Sequence, residues 1–140
     1  LPVTTTSHKQ GTTMRWAAPE ILNGETKRSF PADIYALGMT ILEIMTGAFP
    51  FANLETSQIY GAVVHRGKIP DRPKAHIPLT LVGNMFWTVL TSCWSREIQN
   101  RPSAAEVSEQ MQMFTPEKLY GMSGGFQVTG MGSPPFEELD

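Results

Sequence analysis

The chain has 140 residues, 41% of them hydrophobic and 17% charged, with a net charge of −2. That is enough for one domain with one sizeable core, and the near-neutral balance gives no bias towards nucleic acid or a membrane surface. One cysteine, Cys93, excludes an internal disulfide and agrees with a reducing, cytoplasmic setting; the longest apolar stretch, Ile34 to Met45, falls short of the ~18 residues that span a membrane.

Residues 1–13 are polar and without periodicity, which predicts a loop. Ala18-Pro19-Glu20-Ile21-Leu22 predicts a short helix. Pro19 suits its first position, Glu20 the positive end of its dipole, and Asn23-Gly24 its close. Asp33 to Thr46 is the strongest helix. Apolar residues cover almost every direction around it, as expected of a buried helix. Gly38 inside it costs about 1 kcal/mol against Ala, which points to a close backbone approach. Gly47 stops it, and residues 48–53 make a turn with two aromatics to pack.

Leu54 to Arg66 predicts a helix with Ile59, Tyr60 and Val63 on one side, ended by Gly67. The three prolines of KIPDRPKAHIP, 68–78, predict an extended loop. Leu79 to Trp94 predicts another helix, with Leu81, Met85, Phe86, Val89, Leu90 and Trp94 facing in. Ser103 with Glu106 is a capping box opening a helix to about Phe114. Residues 115–140 read as a flexible tail, disordered from Gly121 on, where Gly, Ser and Pro accumulate and the end turns acidic. Strand signals are almost absent. The fold class expected is mainly α, a helical globule around one buried helix.

Four short motifs then stand in a telling order. Arg15-Trp16-Ala17-Ala18-Pro19-Glu20 resembles the Ala-Pro-Glu motif that closes the activation segment of eukaryotic protein kinases. Asp33-Ile34-Tyr35-Ala36-Leu37-Gly38 resembles the opening of the central helix of the kinase C-lobe. Leu42 to Gly47, followed by Pro50-Phe51, resembles that helix's end. Cys93-Trp94 and Arg101-Pro102-Ser103 resemble the late C-lobe of tyrosine kinases and the tyrosine-kinase-like group. Each motif alone is weak; four at suitable spacings are strong. The resemblance covers residues 8–114 and implies a partial kinase domain over 1–114, of Ser/Thr type with Tyr specificity left open.

The departures are as informative. An active kinase uses a glycine-rich loop, a strand lysine paired to a helix glutamate, a His-Arg-Asp loop with its Asn, and an Asp-Phe-Gly. None is in this sequence, whose three aspartates are Asp33, Asp71 and Asp140. The expectation is a chain that starts inside the activation segment, inactive alone, with no catalytic, cofactor or metal ligand of its own. ATP and magnesium would belong to an intact parent that phosphorylates proteins. The alternative is a non-catalytic, pseudokinase-like interaction module or a non-functional gene fragment.

By the same resemblance, Glu20 would pair with Arg101 in a buried ion pair, against the plainer reading of an exposed first-turn acid. Asp33 would anchor the catalytic loop of an intact kinase, or serve only as a helix N-cap or first-turn acid. Thr12, Thr13, Met14, Arg15 and Trp16 would form the substrate-positioning loop, with Thr13 or its neighbour Thr12 facing the catalytic loop. Thr4, Thr5, Thr6 and Ser7 are candidate phosphosites, or simply a solvated loop. The helix and loop of 54–78 are a candidate docking surface or an ordinary surface. His8, His65 and His76 lack metal-ligand spacing. Without the preceding helix and catalytic loop that C-lobe helices normally pack against, an apolar surface would be left open on the central helix, so poor solubility is expected of the chain alone.

Overall fold

The computed structural model describes residues 13–121, and every regular element among them is helical. α1 is Pro19–Leu22, α2 Phe30–Thr46, α3 Thr56–Tyr60, α4 Leu81–Cys93, α5 Ala104–Met111 and α6 Pro116–Tyr120. A π-helical turn, Gly61–His65, continues α3, and a 3₁₀ turn, Ile98–Asn100, precedes α5.

α2 begins at Phe30, three residues before the expected Asp33. Ser29 caps it, its hydroxyl accepting from Ala32 N at 3.2 Å. Pro31 lies in the first turn, where a missing N–H breaks no helical bond. Gly47 ends it in the left-handed conformation, φ 70°, which most side chains resist. The inward face carries Ile34, Tyr35, Gly38, Met39 and Leu42.

Burial all round α2 is corrected by the structure. Phe30, Leu37 and Ile44 are exposed, 88%, 37% and 76%, on a stripe at three- and four-residue spacing with Asp33 and Thr40. The helix is apolar on two faces, but the described residues cover only one.

α4 crosses that covered face. Gly38 lets it approach: a Cβ there would stand 2.7 Å from Trp94 Nε1 and 2.9 Å from Cys93 Cβ. The close approach expected from the sequence is therefore the C-terminal end of α4. Trp94 is buried and its indole N–H has no acceptor among the described residues. Thr80 caps α4 by accepting from Gly83 N at 3.0 Å, so the helix starts at Leu81 rather than Leu79. Phe86, Val89, Leu90 and Trp94 face the core as expected. Leu81 and Met85 do not; they are 77% and 39% exposed, on the side of α4 turned from α2.

The expected capping box holds α5: Ser103 Oγ accepts from Glu106 N, and Glu106 accepts from Ser103 N at 2.8 Å. The packed unit extends beyond the expected limit at 114. Thr115 caps α6, Leu119 is 5% exposed in the core, and Tyr120 donates to His76 O at 3.0 Å. Residues 115–120 are thus a docked helix rather than tail, because Leu119 finds an apolar seat against α4. The remainder of the expected tail, from 122, lies outside the described residues.

Candidate functional site: a loop clamped by two arginines

The residues ahead of α1 form a tight turn. Thr13 O accepts from Trp16 N at 3.2 Å, and Met14 O from Ala17 N at 3.3 Å. Thr13 faces solvent, and Met14, Arg15 and Trp16 are half-buried. Thr12 and the candidate phosphosites Thr4, Thr5, Thr6 and Ser7 lie outside the described residues.

Behind the turn, Ala18 is fully buried, which brings α1 down onto the core. Glu20 follows in the first turn of α1, where its carboxylate points inward. Arg101 meets it from the end of the 3₁₀ turn, 81 residues away. Arg101 donates Nη1 to Glu20 Oε1 at 2.5 Å and Nη2 to Glu20 Oε2 at 2.9 Å. This is the two-pronged geometry that a planar guanidinium offers a carboxylate.

Two further N–H groups of Arg101 are used. Nε donates to Ser95 O at 2.9 Å, and Nη1 also to Pro31 O at 3.1 Å. The guanidinium lies 5.2 Å from the centre of the Tyr35 ring. One side chain thus joins α1, the start of α2 and the segment after α4. Both partners are buried, with side-chain exposures of 0% for Arg101 and 4% for Glu20.

Burial alone would raise the pKa of Glu20. The hydrogen bonds from Arg101, a backbone hydrogen bond and the guanidinium's charge outweigh it and hold the carboxyl below its ordinary range. Nearby groups are kept neutral. Burial, together with the charge of Glu20, raises the Tyr35 hydroxyl well above its usual value against the opposing charge of Arg101. Burial likewise pushes the Cys93 thiol up to about 11, leaving it a packing group rather than a thiolate.

A second clamp was not foreseen. Arg15 donates Nη1 to Phe51 O at 2.6 Å and Pro50 O at 3.3 Å, and Nη2 to Leu54 O at 2.8 Å. Its partners are all backbone carbonyls of the turn after α2. Phe51 there has φ 55°, a left-handed conformation strained for a bulky residue. Phe51 is 5% exposed, so burial and Arg15 together hold the strained turn. Trp16 adds an edge-to-face contact with Phe49, centroids 6.1 Å apart. The only sequence hint was a cation beside a tryptophan with no acid nearby.

Asp33 is not drawn into this cluster. It sits in the first turn of α2 with its side chain 55% exposed, and its nearest cation, Arg28, is 3.9 Å away and 91% exposed. In the 54–78 segment, Arg72 donates to Ile77 O, Pro78 O and Asn84 Oδ1, which pins the proline-rich loop to α4. Tyr60 donates to Asn23 Oδ1 at 3.0 Å, tying α3 to the end of α1.

Among the described residues, no group of three or more His, Cys, Asp or Glu side chains is placed to hold a metal ion. No described helix is long and apolar enough to cross a membrane.

The helical architecture is consistent with the helical C-lobe of a protein kinase. The model of the protein tyrosine and serine/threonine kinase family matches residues 2–111, and the chain belongs to that family. It is 34% identical over 121 residues to mitogen-activated protein kinase kinase kinase 1 of Arabidopsis thaliana, covering 85% of this chain and 18% of that protein. It is 31% identical over 125 residues to a light-sensor protein kinase of Ceratodon purpureus, covering 79% and 9%. It is 30% identical over 106 residues to the serine/threonine-protein kinase STY17 of Arabidopsis thaliana, covering 75% and 17%. The chain therefore spans less than a fifth of the length of these relatives.

Proposed function

We propose that this chain is the substrate-side, helical part of a kinase domain whose parent transfers the γ-phosphate of ATP to serine or threonine of proteins in the cytoplasm. The observation that carries the reading is the bidentate, buried Glu20–Arg101 pair, which fastens the end of the loop 13–20 to the late helices. Such fastening sets a loop rigidly enough to position a peptide.

The described residues do not fit a magnesium–nucleotide site. Asp33 and Asp71, the aspartates among them, are exposed, and no described strand leads into a glycine-rich loop. The part proposed for this chain is positioning. Thr13 and Met14 face the substrate, Arg15 and Trp16 hold their turn against 48–54, and Glu20 with Arg101 anchors its far end. In this reading Asp33, exposed on the open face of α2, anchors a catalytic loop supplied from elsewhere in the parent. The 54–78 helix and loop offer a docking surface.

The test uses the parent protein and a panel of Ser, Thr and Tyr peptides with radiolabelled ATP. Transfer to Ser or Thr is expected, with Glu20→Gln lowering it, while the 140-residue chain alone binds no magnesium–ATP. A parent with no phosphotransfer, or saturable magnesium–ATP binding by the chain alone, would contradict the reading.

A further inference from the structure

The turn 48–53 and the loop 68–73 leave a groove between them of about 250 Å³. Leu42, Phe49, Phe51, Pro70 and Pro73 supply its apolar wall, and Lys68 and Asp71 its charge. Phe49 is 60% exposed. The volume is below the ~300–1,000 Å³ of small-ligand pockets and suits a few side chains of a peptide. Aromatic and proline walls are the chemistry that accepts proline-rich segments, which arrive already extended and lose little entropy on docking.

We propose that this groove binds the chain's own segment Ser133–Asp140, SPPFEELD. Pro134, Pro135 and Phe136 occupy the apolar wall, and Glu137 and Glu138 face Lys68 and Lys74. Three observations select this occupant. Its sequence joins two prolines and an aromatic to three acids, Glu137, Glu138 and Asp140. The loop 66–74 carries four basic residues against one acid, Asp71, so the charges are complementary.

The third observation is position. α6 ends at Tyr120, whose hydroxyl donates to His76 O at 3.0 Å, and His76 N donates to Pro73 O at 2.9 Å. The chain thus leaves the described structure two hydrogen bonds from the groove wall. Eleven residues lie between Gly121 and Ser133, and a tether of those twelve Cα–Cα steps reaches up to roughly 40 Å. Such a tether gives an effective concentration on the order of mM, so a segment whose free peptide binds with a Kd of about 0.1 mM would be docked about 90% of the time. The proposal does not rest on the phosphotransfer reading.

Amide hydrogen exchange on the 140-residue chain tests it. Peptides covering 48–54 and 66–74 are expected to exchange about tenfold more slowly than in Phe136→Asp, with 86–93 unchanged. A free peptide of residues 126–140 should restore protection to the Phe136→Asp chain saturably. Lys68→Glu should weaken protection, and adding Glu138→Lys should recover it. Equal exchange in the two chains would overturn the proposal. So would protection that rises with protein concentration, the mark of a second copy as occupant, or a change spread over 86–93.

Discussion

Arg101 and Arg15 both bind segments far away in sequence, yet they end on different chemistry. Arg101 ends on a carboxylate, buried, with four hydrogen bonds and a ring beneath it. Arg15 ends on three carbonyls at a half-buried site. The first arrangement seals two opposite charges in the core, where each depends on the other. The second spreads one charge over dipoles and stays close to water. The difference separates a tie that holds elements together from a brace that sets the shape of one turn.

Breaking the tie should have the largest effect. Glu20→Ala or Arg101→Ala should each destabilise the kinase domain by about 3–5 kcal/mol in chemical denaturation, because the partner's charge is left buried. Arg15→Ala should cost less, about 1–3 kcal/mol, with faster hydrogen exchange concentrated in 48–54, since only carbonyls lose their donor. Equal losses at the two arginines would erase the distinction. Gly38→Ala is a control that touches neither clamp. Overpacking against Trp94 and Cys93 costs about 1–3 kcal/mol and the gain in helix propensity offsets about 1, leaving a net loss on the order of 1 kcal/mol in thermal melts. Arg28→Ala, at the exposed 3.9 Å contact with Asp33, should change stability by no more than about 0.5 kcal/mol.

Acid sharpens the same contrast. The Glu20 carboxyl is held below its ordinary pKa of 4.5 in the fold. Its contribution is therefore fully present above that value and is lost as pH falls through the lower, folded one. Denaturation midpoints followed downward from pH 6 should drop less steeply in Glu20→Gln than in the unmodified domain. Arg15→Ala should leave the slope unchanged, because the carbonyls it binds do not titrate in this range.

The tie was legible from Pro19-Glu20 and Arg101-Pro102 because kinase-like motifs place those residues in contact. The brace was not, because its acceptors are backbone atoms, which any sequence supplies, and because Phe51 gives no sign of its left-handed backbone. Helices were read from periodicity, but their ends moved. Ser29 and Thr80 outweighed Asp33 and Leu79 as starts, since a hydroxyl that accepts from the third helical N–H decides where a helix begins. An open apolar surface on the central helix was expected from the resemblance, but not which residues form it, Phe30, Leu37 and Ile44, because an all-round apolar helix does not say which face its neighbours cover. Leu119 shows the opposite: one apolar residue in a polar stretch was enough to dock α6.

The most direct test of the tie is a double-mutant cycle on Glu20→Ala and Arg101→Ala in the intact domain. The double variant should lose at least about 1 kcal/mol less than the sum of the singles, since removing both partners strands neither. Losses that add to within about 0.3–0.5 kcal/mol would contradict the claim that these two residues fasten the loop as a pair.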